Sequence, residues 1–169
     1  MSNYFEDLTI GETIEIGAHR FTRAEIVDFA TKFDPQPFHL DQTAAEASLF
    51  GALCASGWHT AAVWLRHIID HRRRIADRMT FRGERPARYG PSPGFEQIRW
   101  LKPVLVGDTI RYTTRVVRKV DVRSRPTVGL VHSQNQGFNQ AGDLVFSAIV
   151  KTFVERREAS LPAHGRSPV

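Results

Sequence analysis

The chain has 169 residues, of which 41% are hydrophobic and 24% are charged, so its length falls within the usual size of one domain that can bury a core. Its net charge of +5 comes from 23 Lys and Arg against 18 Asp and Glu. No nucleic-acid-binding module can be recognised in the sequence, and the aromatic residues do not alternate with the basic ones as a base-stacking platform requires. We therefore expect one domain and no nucleic-acid partner.

The start of the chain and its cysteine content bear on the cellular compartment. No run of about 18 apolar residues could cross a bilayer, and the first seven residues are acidic, whereas a secretory leader begins basic and then apolar. The single cysteine, Cys54, can form no internal disulfide and lies in the apolar stretch 49–55. We interpret it as a small buried hydrophobic residue rather than a nucleophile. The sequence predicts a cytoplasmic protein without a membrane partner.

Two helices are predicted in the first half of the chain. Thr22 and Glu25 have the spacing of a capping box, and apolar residues follow them on one helical face up to Phe33. This helix should end there, because Pro35 disfavours helical geometry at the preceding residue. A central helix should begin near Ser56 and run toward Arg72, with an apolar stripe of Trp58, Ala61, Ala62, Leu65 and Ile69.

Strands are predicted from Phe95 onward, after a segment, 82–94, that holds too many Gly and Pro residues for a regular element. Residues 110–116 alternate between apolar and polar, and 128–136 and 144–153 are two further β-rich runs. Strands without intervening helices form an antiparallel sheet. We therefore expect an α+β domain over 1–155, a helical block followed by a sheet block, and a flexible tail over 156–169.

The candidate chemistry lies between the two helices. Asp34 and His39 are five residues apart, and on an unbroken helix their side chains would point about 140° from each other. Pro35 and Pro37 break the helix, so both can turn to one side, where a carboxylate and an imidazole can hold one water and move protons. By themselves the two residues are a weak signal, because an aspartate in a turn and a histidine satisfied at a loop edge would give the same pattern.

The surrounding residues resemble a known family. Residues 21–41, with Asp34, Pro37 and His39, resemble the Asp-x-Asn-Pro-x-His segment of MaoC-like dehydratases and (R)-specific enoyl-CoA hydratases. Residues 55–58, Ala-Ser-Gly-Trp, resemble the family's Ala-His-Gly-Met, and 99–109 resemble its Phe-x-x-Pro-Val-x-x-Gly-Asp signature. The three matches occur in the family's order and span nearly the whole chain.

The resemblance implies a hot-dog fold, a curved antiparallel sheet wrapped around the long central helix, assembled into a homodimer or a higher even oligomer. It also implies reversible addition of water to the double bond of a trans-2-enoyl-CoA, giving a 3-hydroxyacyl-CoA, with no cofactor beyond the coenzyme A of the substrate. Asp34 and His39 would hold the water, and the Gly57 N–H would bind the thioester oxygen at a helix N-terminus. The substrate would also meet Gln36, Pro37, Ser56, Trp58 and Thr60.

Two departures from the family pattern change the surroundings of the pair. Gln36 stands at the usual Asn position and Ser56 at the usual His position, so the hydrogen bonds around Asp34 and His39 should be arranged differently. Trp58 and the residue after it replace a smaller apolar pair, which would narrow or reshape the acyl pocket. The Thr60 hydroxyl would donate either near the thioester or to its own helix backbone.

Several alternatives stay open. His67 and His71 have the spacing of a two-histidine metal site, but no third ligand is evident and we expect no metal. Trp64 and Trp100 are expected in the core or an interface rather than at the ligand. A hot-dog thioesterase and a non-catalytic acyl-CoA-binding protein are the alternative functions. A basic cluster comprises Arg72, Arg73, Arg74, Arg82, Arg85 and Arg88. It is either a solvated surface or a binding surface for coenzyme A phosphates at the pocket entrance of this subunit or of its partner.

Overall fold

The computed structural model describes residues 3–158, in which four helices and five strands follow a short 3-10 turn, Phe5–Asp7. The helices are α1 (Arg23–Phe33), α2 (Pro37–Leu40), α3 (Gln42–Glu46) and α4 (Gly57–Phe81). The strands are β1 (Thr13–Arg20), β2 (Gly94–Trp100), β3 (Thr109–Asp121), β4 (Val128–Phe138) and β5 (Leu144–Glu155).

Helix α1 has the predicted boundaries. The Thr22 hydroxyl accepts a hydrogen bond from the Glu25 N–H, and the Glu25 carboxylate accepts one from the Thr22 N–H at 3.1 Å, which is the reciprocal bonding of a capping box. At the other end, Asp34 leaves the helical region with φ −153° and ψ 67°, as expected for a residue that precedes a proline. The chain therefore turns away from α1 immediately before the candidate catalytic segment.

The five strands form one antiparallel sheet in the order β1-β3-β4-β5-β2. Strands β3, β4 and β5 form the predicted meander. The predicted order of a helical block followed by a sheet block is wrong, because β1 precedes all the helices and pairs with β3. Only Ile16 is fully buried along β1, and Gly17 follows a bulge in its register. In the sequence, Ile14, Ile16 and Ala18 alternate with polar residues or glycine, so a short strand pattern is present at β1 that the prediction missed.

Helix α4 packs its inner side on the sheet. Trp64 and Ile68 lie in one buried cluster with Tyr112, Phe146 and Val150 of the strands, and the Tyr112 hydroxyl donates to the Thr60 carbonyl at 3.0 Å. The antiparallel sheet around a long helix is the architecture that the resemblance implied. Register shifts in β1, β2 and β3 bend these strands in the manner of β-bulges.

Helix α4 is longer than predicted and continues past Arg72 to Phe81. No glycine or proline interrupts it before Gly83, and its second half has its own apolar contacts, since Ile75 and Met79 pack with Tyr4 in a second buried cluster. With a rise of 1.5 Å per residue, its 25 residues separate the two ends by roughly 36 Å. Residues at the C-terminal end of α4 are therefore remote from its N-terminus.

The ends of the described chain are held together by ion pairs, with Arg156 bound to both Glu6 and Asp121. Residues 159–169, most of the tail predicted over 156–169, lie outside the described residues, so its flexibility stays a prediction. Over residues 3–158, no helix combines the length and the apolar character that crossing a membrane requires.

Candidate active site

The structure brings Asp34 and His39 together. The Asp34 Oδ2 atom lies 3.4 Å from the His39 Nε2 atom. Between them the chain is extended at Gln36 and then makes one helical turn, α2, which Pro37 begins at its first position. Proline is favoured there because the missing N–H would have no helical partner and its φ already suits a helix. The segment predicted as irregular is thus partly helical, and this short helix gives the His39 ring a fixed place.

His39 is buried, and its second ring nitrogen fixes its tautomer. Nδ1 lies 2.7 Å from the carbonyl oxygen of Cys54, and a carbonyl can only accept a hydrogen bond. In the neutral ring the proton therefore sits on Nδ1, which leaves Nε2 with a lone pair facing Asp34. In this tautomer Nε2 and the Asp34 carboxylate present two acceptors to the same point, and a water can donate one hydrogen to each.

Asp34 is held in its ionised form by polar neighbours. Burial acts to raise the pKa of its carboxyl group, but hydrogen bonds from Ser56 and Gln36 and the proximity of His39 outweigh burial and bring the pKa below its ordinary value. The Gln36 amide donates to Asp34 Oδ1 at 2.8 Å. The departures from the family pattern at Gln36 and Ser56 therefore still supply donors to the carboxylate.

Ser56 has two partners because it is also the N-cap of α4. Its hydroxyl accepts a hydrogen bond from the Trp58 N–H at 3.2 Å and donates its own hydrogen to Asp34. A serine hydroxyl can do both at once. One buried side chain thus ties the start of the central helix to the catalytic carboxylate.

Gly57 opens α4 beside the pair. Its N–H belongs to the first turn, where backbone donors have no partner within the helix, and among residues 3–158 it has no other partner. A β-carbon at this position would lie 2.7 Å from the Trp100 ring, and Trp100 Nε1 donates to the Gly57 carbonyl at 2.7 Å. Glycine is therefore required for packing, and the same closeness leaves a free donor at the positive end of the helix.

These groups line a cavity of about 430 Å³. Of the residues predicted to meet substrate, all but Pro37 line it; they are Gln36, Ser56, Trp58 and Thr60, with Asp34, His39 and Gly57. Pro37 instead starts α2. The Thr60 hydroxyl donates to the Ser56 carbonyl at 3.4 Å, which is the backbone-bonded alternative.

Some residues of the cavity were assigned other roles or none. Trp64 is in the core as expected, whereas Trp100 lines the cavity and packs edge-on against Trp58, which corrects the expectation for Trp100. Lys102 also lines the cavity, within the segment 99–109 that carries the family resemblance. Cys54 is buried and burial raises the pKa of its thiol to about 11, so the residue contributes its carbonyl, which no sequence signal indicates.

The basic cluster lies elsewhere in this subunit. None of its six arginines lines the active-site cavity, because α4 carries Arg72, Arg73 and Arg74 away from its N-terminus and the others follow its far end. That these arginines lie near the active-site cavity of a partner subunit stays a prediction. Within residues 3–158, no three potential metal ligands lie together, and His67 packs against Tyr112 with ring centroids 5.5 Å apart.

Comparison with known proteins assigns the family. The model of the MaoC-like domain matches residues 7–136. This chain belongs to the MaoC-like domain family. A MaoC-like dehydratase from Rhodospirillum rubrum superimposes with a TM-score of 0.77 and 34% identity, over 93% of this chain and 99% of that one.

Two further proteins that are similar to this chain are larger than it. It is 36% identical over 70 residues to mesaconyl-CoA hydratase of Cereibacter sphaeroides, which is 41% of this chain and 20% of that protein, so the match spans about a fifth of the hydratase. A Mycobacterium tuberculosis protein with a double hot-dog fold superimposes with a TM-score of 0.67 at 16% identity, over 96% of this chain and 47% of that one. This likeness shows the fold, and the MaoC-like domain described here is one hot-dog unit.

Proposed function

We propose that this MaoC-like domain adds water reversibly to the double bond of a trans-2-enoyl-CoA to give a 3-hydroxyacyl-CoA. The observation that carries the proposal is the pairing of the Asp34 carboxylate with the His39 ring at 3.4 Å, in a cavity that also holds the N-terminus of α4. The similarity to mesaconyl-CoA hydratase over residues that make up 41% of the chain supports water addition as the reaction.

In this mechanism the pair activates one water. The water donates one hydrogen to Asp34 and the other to His39 Nε2, and its oxygen attacks the β-carbon of the enoyl group. His39 takes the proton, since an imidazole is ordinarily a stronger base than a carboxylate, and Asp34 stabilises the imidazolium that forms. The same proton then passes to the α-carbon, so one water is added and the pair returns to its starting state.

Gly57 stabilises the charge that develops during the attack. As the β-carbon bonds to the water oxygen, electron density moves through the conjugated system to the thioester oxygen. An unpaired N–H at the positive end of a 25-residue helix is preorganised to bind that oxygen, and removing one such donor typically costs on the order of 10²-fold in turnover.

The test follows the absorbance of a short trans-2-enoyl-CoA together with release of free thiol. Loss of the conjugated chromophore without thiol is the expected result. Release of thiol instead would mean thioester hydrolysis and would overturn the proposal.

Substitutions then test the pair. His39→Ala and Asp34→Asn should each lower turnover by about 10²- to 10⁴-fold, and the double variant should be little slower than the slower single one, because both residues act on one water. Asp28→Asn and His132→Ala, which change the same residue types away from the cavity, are the matched controls. Near wild-type turnover in either single variant, with unchanged circular dichroism, would remove the assigned roles.

A further inference from the structure

A second cavity, of about 300 Å³, lies between the C-terminal half of α4 and the sheet. No residue lines both this cavity and the active-site cavity. Helix α4 contributes Ile68, Arg72 and Ile75 to its wall, and the strands contribute residues of β3, β4 and β5. We call it the Arg72 cavity.

Arg72 has no anionic partner among the residues that the structure describes. Among residues 3–158 it forms no hydrogen bond and no ion pair, and its contact is with the Tyr89 ring, whose centroid lies 4.3 Å from the guanidinium carbon. Burial lowers the pKa of the guanidinium, yet an arginine remains charged in proteins. Stacking on an aromatic ring satisfies the face of the guanidinium and leaves its five N–H donors free.

Arg72 is only partly withdrawn from water. Its N–H donors, which meet no acceptor among residues 3–158, are therefore available to a ligand that enters the cavity. The other lining of the Arg72 cavity combines aliphatic side chains, such as Val131 and Val154, with the Ser133 and Thr152 hydroxyls. An apolar wall with a few convergent polar groups is typical of small-molecule sites.

The charges at the cavity select the kind of anion. Asp7 and Glu12 also line it; Asp7 is bound by Arg157 through contacts of 2.8 and 3.1 Å, and Glu12 is exposed. Two carboxylates in the lining of the same cavity disfavour a dianion such as a phosphate monoester. A carboxylate with an apolar body suits both the planar fork of the guanidinium and the aliphatic wall.

We propose that the Arg72 cavity is a binding site for a small organic monocarboxylate, separate from the active site. The carboxylate pairs with Arg72, and its aliphatic part packs between α4 and the sheet.

The experiment is calorimetric titration of the full chain with hexanoate and, in parallel, with the uncharged hexanamide. Hexanoate should bind saturably at one site per chain, and hexanamide should bind far more weakly. Arg72→Met, which keeps an unbranched apolar side chain and removes the charge, should weaken hexanoate binding on the order of 10-fold or more. Arg73→Met, at the neighbouring exposed position, is the matched control and should bind as the wild type does.

A further variant keeps the test independent of the arginine. Ser133→Leu narrows the cavity without changing charge and should also weaken binding, whereas Asp34→Asn in the active site should not. Absence of binding at millimolar hexanoate, equal binding of hexanamide, or binding lost in Asp34→Asn and kept in Arg72→Met would each overturn the proposal.

Discussion

Ser56 links the stability of α4 to the protonation of Asp34, and two substitutions separate these roles. Its hydroxyl caps the helix by accepting from the Trp58 N–H at 3.2 Å and donates to the Asp34 carboxylate. Ser56→Ala removes both hydrogen bonds. Ser56→Gly also removes both, but glycine is a far better N-cap than alanine and costs only a few tenths of a kcal/mol there.

The expected effects differ in size and in kind. Loss of the cap in Ser56→Ala should lower the free energy of unfolding by about 1 kcal/mol, or a melting temperature shift of about 2–4 °C for a chain of this size, and Ser56→Gly should lose clearly less. The hydrogen bond from Ser56 lowers the pKa of Asp34, so its loss should raise that pKa in both variants. Because activity requires ionised Asp34, the acidic limb of the kcat/KM profile should move to higher pH.

The assay is urea unfolding together with kcat/KM for enoyl-CoA hydration measured across the acidic limb. Ser56→Thr, which keeps a hydroxyl, serves as the control and should retain most of the wild-type profile. An acidic limb that stays in place in both Ser56→Ala and Ser56→Gly would refute the hydrogen bond from Ser56 as a determinant of the Asp34 charge. Equal stability of the alanine variant and the wild type would refute the capping role.

Three further predictions concern other parts of the molecule. Burial lowers the pKa of His59 from 6.5 to about 4, so the unfolded chain binds the extra proton between these values, and stability that is full above pH 6.5 is lost as the pH falls. Between about pH 7.5 and about pH 5, urea denaturation should show a loss of stability that is smaller by about 2 kcal/mol in His59→Phe than in the wild type; the same loss in both proteins would contradict the burial effect on His59. Strand β2 leaves an open sheet edge beside the exposed Phe95, which we expect a second copy of the chain to cover in a dimer. Light scattering should therefore give twice the 19.1 kDa chain mass, and a stable active monomer at micromolar concentration would argue against the dimer. Lys102, half-exposed at the cavity, should attract coenzyme A phosphates. Lys102→Met should therefore raise KM for an acyl-CoA but not for an acyl-pantetheine thioester, which lacks the nucleotide phosphates, and it should leave kcat unchanged and reduce the salt dependence of KM. Equal effects on the two substrates would show that the lysine binds no phosphate.

Local sequence indicated α1, the start of α4 and the meander, but not the short helices α2 and α3 or the full length of α4. The capping box at Thr22, the proline after Asp34 and the apolar stripe that starts after Ser56 each act within a few residues, so they could be recognised without the fold. The regular alternation of β3 and the β-rich runs of β4 and β5 likewise predict strands directly. Strand β1 was missed although Ile14, Ile16 and Ala18 alternate in its sequence, and its place in the sheet depends on pairing with β3, between 89 and 102 residues away in the chain.

The same division holds for the site. The sequence, through its resemblance to a family, indicated Asp34, His39 and Gly57, since these residues lie in short motifs. Only the tertiary structure decided the state of that site: the Cys54 carbonyl that fixes the His39 tautomer is a backbone atom from a distant segment, and any residue type could supply it. Trp100 reaches Gly57 from β2 across 43 residues, and the length of α4 carries Arg72 away from the active site into a cavity of its own. Contacts of this kind depend on how separate elements pack, so a local sequence pattern does not predict them.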